Sequence, residues 1–303
     1  MTDEVRTFAP MAVLIDGNAL AAEIRAEVQA EVAQLRSEMG IVPGLNLLLV
    51  GEDPASAVYV RNKGKDCEKV GITSTIMRLP AGASEQEVLD VVQAWNADPA
   101  VHGILVQLPL PKHIDEHRVI NAISPLKDVD GFHPQSAGKV MIGLDGFIPC
   151  TPFGVLEMLR RYNIETSGKH AVVVGRSNIV GKPLSILLAQ KRKPGNTTVT
   201  ICHTGTPNIA EYTRMADILI SAVGSHGVIT KDHVKPGAVV IDVGINRITL
   251  PDGTHKLVGD VLFDEVEPLA QAITPVPGGV GPMTRAMLLR NTLKAALIAG
   301  GKQ

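Results

Sequence analysis

Short apolar runs alternate with helical segments through the second half of the chain, and this alternation limits the possible folds more than any other feature. The runs are four or five residues long and occupy residues 170–174, 198–202, 218–221 and 238–242. Strands of this kind, joined by helices, form right-handed crossovers and a parallel sheet that is buried on both faces. The sequence therefore predicts a doubly wound α/β domain here.

The first half of the chain predicts a second α/β domain. Buried strands are expected at residues 45–50 and 101–108. Long helices are expected from Asp16 or Asn18 to Met39, at 54–70 and at 84–97, where Ser84 and Glu87 have the spacing of a capping box. Residues 124–150 are rich in Gly, Pro and Asp and are expected to be loop. We place the domain boundary after them, where Thr151 and Pro152 resemble the start of a helix, and we expect a last helix at 284–299.

Composition and charge exclude several classes of function. Aromatic residues make up 3% of the 303 residues and the net charge is −2, which argues against nucleic-acid and anionic-membrane partners. The opening residues, MTDEVRTFAP, lack the apolar stretch of a secretory signal, and no apolar run has a membrane-spanning length. Three widely spaced cysteines and unpatterned histidines indicate neither disulfides nor a metal site. We expect a soluble, cytoplasmic protein without a bound metal.

The sharpest local signal is a strand that runs into a glycine-rich turn, GRSNIVGKP, at residues 175–183. A glycine that ends a strand just before a helix is typical of dinucleotide-binding domains, where the helix N-terminus binds a phosphate. Ser177 stands in place of the second glycine, so a turn used only for tight packing remains an alternative. The spacing does not fit a Walker P-loop, because Pro183 follows Lys182.

Charge favours NADP over NAD as the dinucleotide. An NAD site usually places an acidic residue about 20 residues beyond the glycine motif, where it binds the ribose 2′-hydroxyl. No Asp or Glu occurs from residue 166 to residue 210. Arg176 and the hydroxyl of Thr204 can instead bind a 2′-phosphate. Residues 191–193 are also basic, and we interpret them as a solvated turn.

One face of the second helix carries Ser56, Tyr59 and Lys63, spaced three and four residues apart. By itself this pattern indicates a surface face with one lysine. Six further motifs accompany it in the chain: QLPLP at 107–111, KDVDGF at 127–132, PCTP at 149–152, DVGIN at 242–246, GDV at 259–261 and PVPGGVGPMT at 275–284. Together with YVRNK at 59–63, they resemble the bifunctional methylenetetrahydrofolate dehydrogenase/cyclohydrolase family (FolD type) over nearly the whole chain, from about Val13 to about Ala299.

The resemblance implies an architecture. It assigns residues 11–150 and a returning C-terminal helix, 285–303, to a folate-binding catalytic domain. Residues 151–284 would form an NADP-binding Rossmann domain. The active site would lie in the cleft between the domains, and two chains would dimerise through the Rossmann domains.

The resemblance also implies roles for individual residues. Lys63 matches the central catalytic lysine, Tyr59 the tyrosine that stacks on the pterin, and Gln107 the lysine's partner. Asp130 matches the carboxylate that binds the pterin ring. One further group would close over the substrate: Pro277, Gly278 and Gly279. Another would contact NADP: Gly175, Arg176, Ser177, Thr204 and Ile245.

The chemistry of the two reactions fits these residue types. Hydride transfer from 5,10-methylenetetrahydrofolate requires two flat rings held face to face, and it requires no strong base. Hydrolysis of the resulting cation requires proton movement, and our hypothesis is that Lys63 performs it. Burial near a cation favours the neutral amine of a lysine, which can accept a proton. Gln107 would orient that amine.

Two other interpretations explain the Rossmann half of the chain. One is a different two-domain NADP dehydrogenase, of the shikimate or amino-acid type. The other is a non-catalytic NADP-binding sensor, in which Lys63 would have no function. Neither accounts for YVRNK together with PGGVGP, and turnover of a folate substrate separates all three.

Overall fold

The computed structural model describes residues 12–302, so the opening residues that we examined for a secretory signal lie outside it. The chain divides into two compact units. The N-terminal unit comprises Asn18–Gly154 and the residues from Pro282 onward. The middle unit comprises Val155–Gly281 and the described residues up to Gly17. Each unit is assembled from separate stretches of the chain.

Strands and helices alternate along the described chain. The strands are β1 Val13–Leu14, β2 Gly44–Val50, β3 Thr73–Leu79, β4 Gly103–Val106, β5 His170–Val174, β6 Thr198–Cys202, β7 Ile218–Ser221, β8 Val239–Asp242, β9 Asn246–Thr249, β10 His255–Val258 and β11 Ala272–Ile273. The helices are α1 Gly17–Met39, α2 Pro54–Val70, α3 Glu85–Ala97, α4 Glu116–Ala122, α5 Pro134–Ile142, α6 Cys150–Arg161, α7 Gly181–Ala189, α8 Ile209–Thr213, α9 Phe263–Val266 and α10 Val280–Ala299. None of them combines the length and the apolar character that a membrane span requires.

A parallel sheet in the order β3-β2-β4 forms the centre of the N-terminal unit. The apolar run of β2 is buried because the strand is central, with Leu47 opposite Ile76 on one side and Leu105 on the other. Its side chains and those of β4 pack with α3 in one core that includes Leu48, Val92 and Ile104. Residues that follow the carboxyl ends of these strands are thereby held on a rigid frame.

Helix α2, which carries Tyr59 and Lys63, occupies the predicted residues and is capped at both ends. The carboxylate of Asp53 accepts a hydrogen bond of 2.7 Å from the backbone N–H of Ser56, and Pro54 occupies the first turn. Gly71 ends the helix in the left-handed conformation at φ 79°, and its N–H bonds carbonyls of the last turn. The capping box predicted at Ser84 and Glu87 is likewise confirmed at the start of α3.

A six-stranded parallel sheet forms the middle unit, in the order β1-β11-β8-β7-β5-β6. This confirms the predicted doubly wound fold, with an apolar core on β5, β7 and β8. Strand β1 differs from expectation, because residues 13–14 were assigned to the N-terminal domain and pair instead with β11. The antiparallel hairpin of β9 and β10 was not predicted.

Several predicted boundaries were wrong. Residues 124–150 are not all loop, because α5 forms within them between the cap residue His133 and Gly143. Thr151 is not a helix cap, since α6 already begins at Cys150. The last helix begins at Val280 instead of residue 284, and β4 spans only Gly103–Val106. Strand β3 was missed because it is an edge strand with a largely exposed, polar sequence, and α4 was missed because it is only seven residues long.

Candidate active site

The amine of Lys63 and the amide of Gln107 meet in the N-terminal unit. Lys63 Nζ donates to Gln107 Oε1 at 3.1 Å, and both side chains are partly buried. Gln107 is fixed by two further bonds, from its backbone N–H to the Leu48 carbonyl at 2.9 Å and from Nε2 to the Leu108 carbonyl at 2.7 Å. Its oxygen is therefore directed at the lysine, which leaves the amine held by an acceptor and still accessible.

Tyr59 lies one turn before Lys63 on the same face of α2. Its side chain is 38% exposed, so part of the ring is available for stacking. Burial raises the pKa of its hydroxyl, and the positive charge of Arg285 partly offsets that rise. The hydroxyl is thus neutral near pH 7, which suits a stacking wall and not a base.

Asp130 lies within electrostatic reach of Lys63. Burial raises the pKa of the Asp130 carboxyl, while the charge of Lys63 and a hydrogen bond with Cys150 lower it. The thiol of Cys150 has a pKa well above its usual value, because it is buried and because Asp130 is nearby. The carboxylate of Asp130 can accept more than one hydrogen bond from a ligand.

The turn that carries Asp130 is fixed by its neighbours. Asp128 accepts hydrogen bonds from the Ser136 hydroxyl at 2.6 Å and from the N–H groups of Phe132 and His133. Burial raises the pKa of Asp128 to about 6. Gly131 has φ 75°, and a Cβ there would lie 2.7 Å from the Pro149 nitrogen. Asp128 is therefore a structural residue, and a glycine is required immediately after Asp130.

The sequence did not predict an ion pair between Asp66 of α2 and Arg285 of α10. Arg285 of α10 lies 2.8 Å from the carboxylate of Asp66, which is 4% exposed. Asp66 lies one turn beyond Lys63 on α2. The two partners are far apart in the chain, so no local motif marks them.

In the middle unit, Gly175 forms the tight turn that the sequence predicted. It follows β5 with φ 129°, and a Cβ there would lie 2.3 Å from the Ala222 carbonyl oxygen. A Cβ on Gly181, at the start of α7, would lie 2.1 Å from the Gly175 oxygen. Between them the Ser177 hydroxyl accepts hydrogen bonds from the N–H groups of Val180 and Gly181. The turn provides the close backbone approach that a pyrophosphate needs at a helix N-terminus, so these residues fit a dinucleotide.

The other residues predicted to contact NADP lie at the same edge of this sheet. Gly175 donates its N–H to the Cys202 carbonyl at 2.8 Å, which ties the turn to the end of β6. Thr204 follows β6 and Ile245 follows β8, both beyond the carboxyl ends of parallel strands. The side chains of Arg176 and Thr204 are exposed, and Ile245 is 45% exposed. Ligands of open α/β sheets bind at this edge.

Two buried carboxylates organise this edge, and they are functional supports that sequence reasoning missed. Asp260 is fully buried and Asp242 is 3% exposed. Burial raises the pKa of Asp242 to about 6, while backbone N–H groups hold the carboxylate. The donors to Asp260 come from the end of β7, the loop after it and the start of β9: the Ser221 hydroxyl, the N–H groups of Val223, Gly224 and Ser225, and the Asn246 amide. The motifs DVGIN and GDV carry these aspartates, so their position was visible and their role was not.

The turn at Pro277, Gly278 and Gly279 follows β11 in the middle unit. Gly278 has φ 106°, and a Cβ on Gly279 would lie 2.5 Å from the Pro275 carbonyl oxygen. A Cβ on Gly17 would lie 1.8 Å from the Gly279 oxygen, so the start of α1 packs directly on this turn. Pro277 itself is exposed. Among residues 12–302, no three His, Cys, Asp or Glu side chains are grouped as they would be in a metal site.

Fold and site together define a dinucleotide-binding α/β enzyme with two domains. The chain belongs to the tetrahydrofolate dehydrogenase/cyclohydrolase family. The sequence model of the family's catalytic domain matches residues 15–130, and that of its NAD(P)-binding domain matches residues 149–299. The resemblance inferred from the motifs is thereby confirmed.

Known proteins are similar to this chain over nearly its full length. The bifunctional protein FolD of Prosthecochloris aestuarii is 58% identical over 287 residues, which cover 93% of this chain and 97% of that protein. The crystal structure of the bifunctional FolD methylenetetrahydrofolate dehydrogenase/cyclohydrolase from Campylobacter jejuni is 47% identical, with a TM-score of 0.89 and coverage of 94% and 98%. The Trypanosoma brucei enzyme, solved with NADP cofactor and an inhibitor, is 41% identical, with a TM-score of 0.90 and coverage of 95% and 98%.

Proposed function

We propose that this protein oxidises 5,10-methylenetetrahydrofolate to 5,10-methenyltetrahydrofolate with NADP and hydrolyses that product to 10-formyltetrahydrofolate. The observation that carries the proposal is the pair of Lys63 and Gln107, held at 3.1 Å with Asp130 in electrostatic reach, in a chain of this family. The relative from Campylobacter jejuni is named as a bifunctional methylenetetrahydrofolate dehydrogenase/cyclohydrolase, and the one from Prosthecochloris aestuarii as a bifunctional protein.

In the oxidation, the protein's task is to bind and orient. NADP, when bound, supplies the hydride acceptor. The Gly175 turn and the start of α7 would hold its pyrophosphate, with Ser177 and Ile245 beside it, and Arg176 and Thr204 would hold its 2′-phosphate. Tyr59 would stack on the pterin, and Pro277, Gly278 and Gly279 would close over it. Water exclusion and ring alignment are sufficient for hydride transfer.

In the hydrolysis, Lys63 moves the proton. Water attacks the methenyl carbon, and the Lys63 amine accepts the proton that the water loses. The bond between that carbon and N5 then breaks, and the proton passes to N5, which leaves the formyl group on N10. Gln107 Oε1 fixes the direction of the amine. Asp130 accepts hydrogen bonds from the aminopyrimidine N–H groups, because a carboxylate can accept two at once.

We assign these tasks to two domains. Residues 11–150 with the last helix, 285–303, would form the folate-binding domain, apart from strand β1, which pairs in the sheet of the middle unit, and residues 151–284 would bind NADP. The assignment is supported by the positions of Lys63 and Asp130 in the N-terminal unit and of the Gly175 turn in the middle unit.

Replacing Arg176 with Ala should weaken the binding of NADP and leave the binding of NAD almost unchanged. The change removes a charge-assisted hydrogen bond to the 2′-phosphate, so we expect the dissociation constant for NADP to rise about tenfold while that for NAD changes little. Titration calorimetry with each dinucleotide measures both constants. Arg192→Ala is the matched control, because Arg192 lies in the exposed basic turn and should not contact the ligand. Equal weakening of NADP and NAD by Arg176→Ala would contradict the 2′-phosphate role.

Absorbance assays on the purified protein test the function as a whole. One trace follows reduced dinucleotide after 5,10-methylenetetrahydrofolate is mixed with NADP, and a second follows decay of added methenyltetrahydrofolate above its spontaneous rate. Reduction together with accelerated decay is expected. Reduction without accelerated decay would leave a dehydrogenase alone. No reaction in either trace would favour a different NADP dehydrogenase or a non-catalytic NADP sensor.

We also propose a homodimer formed through the NADP-binding domains. The middle unit exposes apolar side chains that a second copy would cover, among them Ile201, Met215 and Leu257. Sedimentation equilibrium at micromolar concentration should give twice the mass of one chain. A single-chain mass across the concentration range would contradict the dimer.

The state of the cysteines supports our assignment to the cytoplasm. Cys67, Cys150 and Cys202 are all buried and free. A reducing compartment keeps such thiols in this state.

A further inference from the structure

A buried amide from the last helix holds the turn that carries Asp130. Asn291 of α10 is 2% exposed. Its Nδ2 donates to the Val129 carbonyl at 2.8 Å and to the Ile148 carbonyl at 2.9 Å, and lies 3.7 Å from Cys150 Sγ. Both nearest neighbours are acceptors, so the amide nitrogen, and not its oxygen, must face them.

The two carbonyls belong to the two chain segments that pack together at the turn that carries Asp130. Val129 immediately precedes Asp130. Ile148 precedes Pro149, and a Cβ on Gly131 would meet that proline nitrogen at 2.7 Å. Asn291 therefore joins both sides of the turn at the point where Asp130 projects from it.

On the opposite side, the turn is anchored to the sheet. Ile104 of β4 donates its N–H to the Lys127 carbonyl at 2.9 Å. A Cβ on Gly103 would lie 2.8 Å from Val129 Cγ1, so this side chain packs tightly on the strand. The backbone at Val129 is thus held by β4 on one side and by Asn291, with a weak bond from Cys150 Sγ, on the other, so removing the amide loosens the second side.

We propose that Asn291 is a positioning residue for the Asp130 carboxylate, and that it sets the affinity for the folate substrate without touching that substrate. The inference rests on the proposed function. An apolar residue at position 291 would leave the Ile148 carbonyl without its donor and the Val129 carbonyl with only the weak thiol donor of Cys150 at 3.5 Å, and the turn would shift to find other partners. A shift of about 1 Å is enough to misalign a ligand group.

Steady-state kinetics of Asn291→Leu test the proposal, because leucine has a similar size and no donor. We expect the KM for 5,10-methylenetetrahydrofolate to rise about tenfold, with the KM for NADP nearly unchanged and the melting temperature lowered by only a few degrees. The matched control is Thr292→Val, which removes another buried polar group of α10. The Thr292 hydroxyl donates to the Leu288 carbonyl of its own helix at 2.8 Å. This control variant should leave both KM values unchanged. Should Asn291→Leu fail to fold, Asn291→Ala, which also lacks a donor and adds no volume, replaces it with the same expected result.

A double-mutant cycle separates positioning from general stability. If Asn291 acts through Asp130, Asn291→Leu should add little to the folate KM in an Asp130→Ala background. Additive effects, a parallel rise in the KM for NADP, or an unchanged folate KM in the folded variant would each overturn the inference. Absence of folate turnover by the wild-type protein would instead overturn the proposed function, and the inference with it.

Discussion

A Lys63→Met variant should lose cyclohydrolase activity while it keeps part of its dehydrogenase activity. Hydrolysis needs a proton acceptor, and general acid–base groups contribute roughly 10²–10⁴-fold to a rate. Methionine preserves the length and the apolar stem of the side chain but cannot take up a proton. Hydride transfer depends on alignment of the rings, so its loss should be much smaller. Decay of methenyltetrahydrofolate and reduction of NADP, measured on one preparation, give the two rates.

Lys65→Met is the matched control for this prediction. Lys65 lies on the same helix, two residues further on, and its side chain is exposed. Both variants remove one positive charge from α2, so a general electrostatic effect would appear in both. Hydrolysis at the wild-type rate by Lys63→Met would remove the lysine from the mechanism. An equal loss in the two variants would assign the effect to charge alone.

An Asp130→Ala variant should bind folate weakly and bind NADP normally. Loss of hydrogen bonds to a charged acceptor typically costs about 1.5–3 kcal/mol, which corresponds to a rise of roughly 10- to 100-fold in the folate KM. Asp130 lies in the N-terminal unit and the Gly175 turn in the middle unit, so the dinucleotide should be unaffected. Substrate titrations at saturating NADP, paired with calorimetric binding of NADP alone, measure the two affinities.

Asp90→Ala provides the comparison, since Asp90 is an exposed carboxylate of the same unit on α3. Its removal should change neither affinity. A parallel loss of folate and NADP binding by Asp130→Ala would mean that Asp130 supports the structure, as Asp128 does through its bonds to Phe132, His133 and Ser136.

The sequence was informative where function depends on local spacing. Tyr59 and Lys63 are one helical turn apart, so the motif YVRNK itself places them on one face of α2. Gly175 ends a strand just before a helix, and that order alone predicts its tight turn. Gln107 follows a buried strand, and its bond to Lys63 is a contact across 44 residues that only the family resemblance suggested.

The sequence was uninformative where function depends on contacts between distant segments. Asn291 reaches Val129 across 162 residues and Arg285 reaches Asp66, and neither pair has any local pattern. Asp260 lies in the motif GDV, and only the folded chain shows that it is buried and bonded by groups of β7, the loop after it and β9. Secondary structure followed the same rule, because the strands with continuous apolar runs were predicted, while the largely polar strand β3 and the two-residue strand β11 were missed.

The exchange of chain ends between the two units determines the order in which they can be completed during synthesis. Strand β1, near the start of the chain, waits for β11 at Ala272–Ile273 before it can pair. The N-terminal unit can be completed only later in synthesis, since Asn291 and Arg285 lie in α10. Domains generally fold as units as they emerge from the ribosome. Here the turn that carries Asp130 gains the support of Asn291 only when translation is nearly finished, so a nascent chain that stops before α10 holds all strands of the six-stranded sheet but an incomplete N-terminal unit.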